Sequence, residues 1–148
     1  MDNAILNAII ALNAFTGGDD LYAQANAVSA AGNTWQEALS KAISDGKKNL
    51  NPGSCNAADS QRISGIIIDK ISIDAPKAFN LVEQKLPLFK SLGVSSDVRG
   101  GLQLLLQEFY DWGMTVEPHI QADILVKLRN AGSAIFVAAN SAINAYLT

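Results

Sequence analysis

Apolar residues recur at spacings of three and four along almost the whole chain, and the clearest run lies at 75–109. There Ala75, Ala78, Val82, Leu86 and Phe89 share one helical face, and Val98, Leu102, Leu105 and Phe109 share another. The turn Leu92-Gly93-Val94-Ser95 separates them, so the two stripes predict an antiparallel helical hairpin whose faces meet. The same period extends in both directions. Residues 3–15 predict a short helix with Ile5, Ala8, Ile9, Leu12 and Phe15 on one side. Leu6 and Ile10 lie off that stripe and suggest burial on a second side. Gly17-Gly18 ends this helix, because paired glycines accept positive φ. Asp19 or Asp20 is placed to cap a second helix reaching about Lys48, with Leu21, Ala25, Val28, Gly32, Trp35, Leu39, Ile43 and Gly46 along one face.

Beyond a loop marked by Asn51-Pro52-Gly53, Asn56 is placed to cap a third helix reaching about Leu92. Its stripe holds Ile67, Ile68, Ile71, Ala75, Ala78, Phe79, Val82, Leu86 and Phe89, with Ser64 on the same face. Pro76 and Pro87 each remove a backbone donor and predict a bend or a break. Ser95 or Ser96 caps a fourth helix that carries Val98, Leu102, Leu105, Leu106, Phe109, Trp112, Gly113 and Val116. Pro118 suits the first turn of a fifth, with Ile120, Ile124, Leu128, Ala131, Ile135, Ala139, Ala142, Ile143 and Tyr146 on its stripe and Gln121 on its apolar side. No alternating strand pattern appears. The expected fold is all-α, a five-helix bundle in a single domain over 1–148.

Composition agrees with a packed domain: 49% of the residues are hydrophobic and 17% charged, which excludes disorder. The net charge is −3 and the basic residues are scattered, so no footprint for nucleic acid or an anionic membrane emerges. The N-terminal stretch is apolar but broken by Asn7 and Asn13, lacks a basic leader and is too short to span a bilayer. It fits a cytosolic protein or the mature form of a secreted one.

The catalytic inventory is nearly empty. Cys55 and His119 stand alone of their types, which rules out an intramolecular disulfide and a multi-His or Cys-based metal site. His119 reads as a water-exposed residue at a helix start, and Cys55 as an incidental thiol in a Pro-Gly loop. Asp19 and Asp20 read as caps, and Glu108 and Asp111 as a solvated face. Gly17-Gly18 and Gly100-Gly101 match no phosphate-binding loop. What remains is apolar surface, with Trp35, Phe79, Phe89, Phe109, Trp112 and Tyr146 as its large members. Periodicity alone describes an ordinary core. Small residues at stripe centres (Ala25, Gly32, Ala139), the two prolines and the isolated polar groups Ser64 and Gln121 are what a cavity would also use. A hydroxyl such as that of Ser64 is more commonly satisfied by the carbonyl four residues back.

At the hairpin the chain resembles the fungal hydrophobic-surface-binding protein A family, which includes the cell-wall galactomannoproteins. Lys85, Pro87, Phe89, Leu92 and Gly93 carry that family's pattern ahead of a Leu-rich helix. Asn13-Ala14-Phe15-Thr16-Gly17-Gly18 looks like its Phe-x-Gly-Gly break, and Ala142-Ile143-Asn144-Ala145-Tyr146 like its Ala-Ile-x-x-Tyr ending. The family often places an acid and then an aromatic residue shortly before that ending; here Phe136 and Ala139 stand in that region, which leaves the stripe centre smaller.

The resemblance implies a secreted, cell-wall-associated fungal mannoprotein, linked in pathogens to virulence, that binds and sequesters long-chain fatty acids without catalysing a reaction. It implies an apolar channel between the helices, walled by Ile67, Ile71, Phe79, Leu105, Phe109, Trp112 and Leu128. Ser64 and Gln121 are the expected carboxylate partners. No cofactor or metal is expected. The implied partner is a long-chain fatty acid, with no nucleic acid, no stable membrane insertion, and a monomer or weak dimer in solution. Each buried methylene contributes ~0.8 kcal/mol, so an acyl chain of about 15 yields ~12 kcal/mol gross before the costs of association. The alternative is an interaction protein that adsorbs to hydrophobic surfaces and recruits a lytic enzyme. Leu104, Met114, Val126 and Val137 project off their stripes and would form its patch.

Overall fold

The computed structural model describes residues 1–50 and 56–147, and all its regular structure there is helical. The loop residues Asn51, Pro52, Gly53 and Cys55 lie outside the described residues. Helix α1 (Asp2–Ala14) buries Ala4, Ile5, Ala8, Ile9 and Leu12, and Phe15 just beyond it is fully enclosed. The second buried side expected for α1 is absent: Leu6 and Ile10 face outward. Gly17 and Gly18 adopt φ of 93° and 88° and turn the chain. The expected aspartate cap on α2 (Leu21–Asn49) is not formed. Gln24 ties the turn instead: its Oε1 accepts from the Thr16 and Gly17 amides at 2.8 and 3.1 Å, and its Nε2 donates to the Gly17 carbonyl at 3.1 Å.

The third predicted helix is one path broken into pieces. Asn56 caps α3 (Ala57–Ile66) by accepting from the Asp59 amide at 2.9 Å. A π-helical turn, Ile67–Ile71, then leads into α4 (Ser72–Gln84). Pro76 has no amide to offer the Ser72 carbonyl, yet it sits inside α4 without breaking it; the irregularity falls one turn earlier, in the π turn. Pro87 behaves as expected. The helix divides at Lys85, and Pro87 occupies the first turn of α5 (Leu86–Ser91), where its missing donor leaves no bond unmade. Gly93, at φ 73°, ends α5 with paired bonds from the Val94 amide to Phe89 and from the Gly93 amide to Lys90.

Helix α6 (Ser95–Val116) begins one residue earlier than a serine cap would require, with Val94 in the cap position. A 3₁₀ turn, Glu117–His119, holds Pro118, so the last helix, α7 (Ala122–Ala145), starts later than predicted. His119 is half-buried in this turn rather than exposed. Helix α7 packs chiefly on α4, α1 on α2 and α4, and α6 on α2 and α7. No helix among the described residues is long and apolar enough to cross a membrane.

Tyr146 closes the bundle. Its hydroxyl donates to the Val82 carbonyl at 2.8 Å, and its ring lies 6.3 Å from that of Phe89. Burial, and next the charge of Glu83, push the phenol well above its ordinary value of 10.0. The unfolded chain therefore loses this proton first. The stabilisation is fully present below pH ~10 and is lost as pH rises beyond it. Thermal melts through this range should show an alkaline fall in the midpoint that Tyr146→Phe reduces, at a cost of about 1 kcal/mol near neutral pH for the lost hydrogen bond.

Candidate functional site

Two apolar clefts open between helices, on either side of an aromatic cluster. The first lies between the C-terminal half of α6 and the N-terminal half of α7, and encloses about 380 Å³. Its floor is Ile67, Phe109, Val116, Leu128 and Ile135, all buried. Ile67 arrives from the π turn. Gly113 and Gly132 form opposite walls, and a Cβ added to either would meet nothing within 4 Å. The space between the two helices stays open here, since neither glycine supplies a side chain to fill it. Tyr110 and Met114 stand at the rim, 51% and 58% exposed.

Two charged side chains, Glu117 and Arg129, line this cleft. The Arg129 Nε lies 3.3 and 3.2 Å from the two carboxylate oxygens, and an Nη lies 3.0 Å from one of them. The hydrogen bond to Glu117, then its charge, raises the Arg129 pKa above an already high value, so the guanidinium remains charged. Tyr110 meets Phe136 edge-on at 6.3 Å and closes one end. Past that pair a shallower groove, lined by Gln103, Leu106, Gln107, Asn140 and Ile143, follows the same two helices.

The second cleft, about 340 Å³, lies between the N-terminal halves of α2 and α6 over Val82 and Phe89. Its rim is more polar, with Asn26, Ser29, Asn33, Gln36 and Asp97. Gly32 and Gly101 border it, and here too an added Cβ would meet open space. The small residue at the centre of the α2 stripe thus marks empty volume rather than close helix contact. Between the clefts Trp35 packs on Phe79 at 5.3 Å and on Phe109 at 5.9 Å. Neither Trp35 nor Phe79 lines either cleft.

The sequence-predicted residues separate along these lines. Ile67, Phe109, Trp112 and Leu128 come together in the first cleft, whereas Leu105 lines the second. Ile71 and Phe79 are closed inside the core and line neither. Ser64 is buried, and its hydroxyl donates to the Ser60 carbonyl at 2.7 Å, so its own helix satisfies it. Gln121 is exposed at the N-cap of α7, because that helix starts beyond it. Neither Ser64 nor Gln121 lines a cleft. The four off-stripe residues Leu104, Met114, Val126 and Val137 are exposed, and Met114 belongs to the first cleft. Pattern reading passed over Glu117, Arg129, Tyr110 and Gly132. Their shared site follows from the late start of α7 and the splay of two helices, which no periodicity encodes. Among the described residues no group of three or more His, Cys, Asp or Glu gathers to hold a metal.

No family model matches the chain, and no curated protein sequence does. Solved structures do. AfMP4p in complex with palmitic acid superposes with a TM-score of 0.87 at 22% identity, covering 98% of this chain and 91% of that one. Ligand-binding domain 1 of the Penicillium marneffei MP1 protein, complexed with arachidonic acids, gives 0.84 at 15% identity over 98% and 90%. Domain 2 of the same protein, also with arachidonic acids, gives 0.67 at 16% identity over 97% and 90%. The chain has the fold of these domains. The all-α bundle read from the period is thus a known architecture, shared over nearly its whole length with AfMP4p and with a fungal ligand-binding domain.

Proposed function

We propose that this protein binds and sequesters long-chain fatty acids, without catalysing a reaction, in the cleft between α6 and α7. The observation that carries the reading is the cleft itself: an apolar volume of about 380 Å³, walled by two glycines, in a fold whose solved neighbours hold palmitic and arachidonic acids. An apolar site of this size suits a ligand whose binding energy comes from methylene burial. The chain is a member of the hydrophobic-surface-binding protein A and galactomannoprotein family, secreted and held in the cell wall. The motif of Lys85, Pro87, Phe89, Leu92 and Gly93 supports this placement.

Organic extraction of the purified protein followed by mass spectrometry should release long-chain fatty acids, and the delipidated protein should take up palmitate in about one-to-one amounts at micromolar concentration or below. Empty extracts together with no uptake of palmitate would remove the proposal. Fractionation of the producing cells should find the protein in the wall and medium; retention in the cytosol would refute the assigned location.

A further inference from the structure

We propose that Arg129 anchors the carboxylate of the bound lipid at the rim of the α6/α7 cleft, and that Glu117 is a built-in competitor for the same guanidinium. The inference rests on the fatty-acid reading and adds to it a head-group site and a ligand orientation. The buried residues that line the cleft, Ile67, Phe109, Val116, Leu128 and Ile135, are all apolar. A carboxylate placed there would lose its hydration with no donor in return. The ligand therefore enters tail first, and its head group stays at the rim. Ser64 and Gln121, which the sequence offered as anchors, do not line the cleft. Arg129 does, and its side chain is largely exposed where the cleft meets solvent.

Glu117 already occupies part of that guanidinium. Its contacts with Arg129 run from 3.0 to 3.3 Å, longer than close charge-assisted bonds of ~2.7–2.9 Å. They involve Nε and one Nη, and no other acceptor among the described residues bonds the group. A guanidinium carries five N–H donors, so a second carboxylate can bind the remaining edge or displace the first. In either case two negative charges come close together, and Glu117 weakens the binding of an anionic ligand. An uncharged ligand of the same length gains nothing from Arg129 and loses nothing to Glu117. The pair thereby sets how strongly the cleft prefers a free fatty acid over its ester.

Palmitate and methyl palmitate should be titrated into delipidated wild-type protein, Glu117→Gln, Arg129→Gln and the double variant, with folding checked by melting. Glu117→Gln should tighten palmitate about fivefold, and Arg129→Gln should weaken it about tenfold. The double variant should bind palmitate more weakly than Glu117→Gln alone, which separates loss of the Arg129 contact from repulsion by an unpaired Glu117. Methyl palmitate should stay within about twofold throughout. Equal shifts for acid and ester, or a double variant that binds palmitate as tightly as Glu117→Gln, would overturn the anchor and leave the pair a tie between the 3₁₀ turn and α7. If methyl palmitate binds and palmitate responds to neither residue, the apolar site stands without this head-group site. If neither ligand binds the wild type, the fatty-acid reading fails and this inference with it.

Discussion

Replacing Gly113 and Gly132 together by leucine is expected to abolish most palmitate binding while leaving the protein at least as stable as the wild type. Both glycines lie within regular helix, outside the set with positive φ, so a side chain brings no backbone strain. A Cβ at either position meets nothing within 4 Å, and both glycines line the first cleft, so the leucine side chains have its volume to extend into. Glycine is a poor helix former, and each exchange should stabilise its helix by roughly 0.5–1 kcal/mol. The leucines fill space that the ligand requires. Excluding contact equivalent to only three methylenes costs about 2.4 kcal/mol, or roughly fiftyfold in affinity. Urea denaturation and a palmitate titration on the same sample report the two effects, which run in opposite directions. Gly32→Leu and Gly101→Leu form the paired control, because they fill the second cleft. They should leave palmitate affinity within a few-fold of wild type. The reverse outcome, with binding lost only in that control, would move the ligand to the α2/α6 side.

The second large effect concerns stability. Phe79→Ala should cost about 3–5 kcal/mol, a substantial share of the ~5–15 kcal/mol available to a domain. The ring is fully enclosed, with Trp35 at 5.3 Å and Phe109 at 6.4 Å. At ~2–4 °C per kcal/mol for a domain of this size, the midpoint of thermal unfolding should fall by roughly 6–20 °C. Phe79→Leu retains most of the volume and should cost less, with palmitate affinity little changed, since residue 79 lines neither cleft. A Phe79→Ala protein as stable as wild type would contradict the aromatic core described here. A Phe79→Leu protein that folds normally but no longer binds would restore Phe79 as a wall of the ligand site.

Much of the architecture was legible because it depends on local period. The stripes of α1, α2, α6 and α7, the glycine stops after α1 and α5, and the Asn56 cap all follow from residue type and spacing. Breaks in a helix are less legible. Pro76 and Pro87 carry the same local signal, yet α4 continues through one and the chain divides at the other. Which outcome occurs depends on what the surrounding helices tolerate. The start of α7 illustrates the same limit: Pro118 is a good first-turn residue, but a 3₁₀ turn claims it, and Gln121 is left at an exposed cap. The site was legible only in part. Ile67, Phe109, Trp112 and Leu128 lie on predicted stripes and line the first cleft. Ile71 and Phe79 lie on the same stripes and ended in the closed core, since periodicity gives a face and not the depth at which two faces meet. Arg129 and Glu117 are off-stripe by nature. Their pairing across 12 positions comes from the turn between α6 and α7 and not from any spacing rule.

The most direct measurement is a crystal structure of the delipidated protein reloaded with palmitate. Continuous ligand density should run between α6 and α7, with the acyl chain against Ile67, Phe109, Leu128 and Ile135 and the carboxylate beside Arg129. Density confined to the α2/α6 cleft, or a saturated crystal with both clefts empty, would contradict the account.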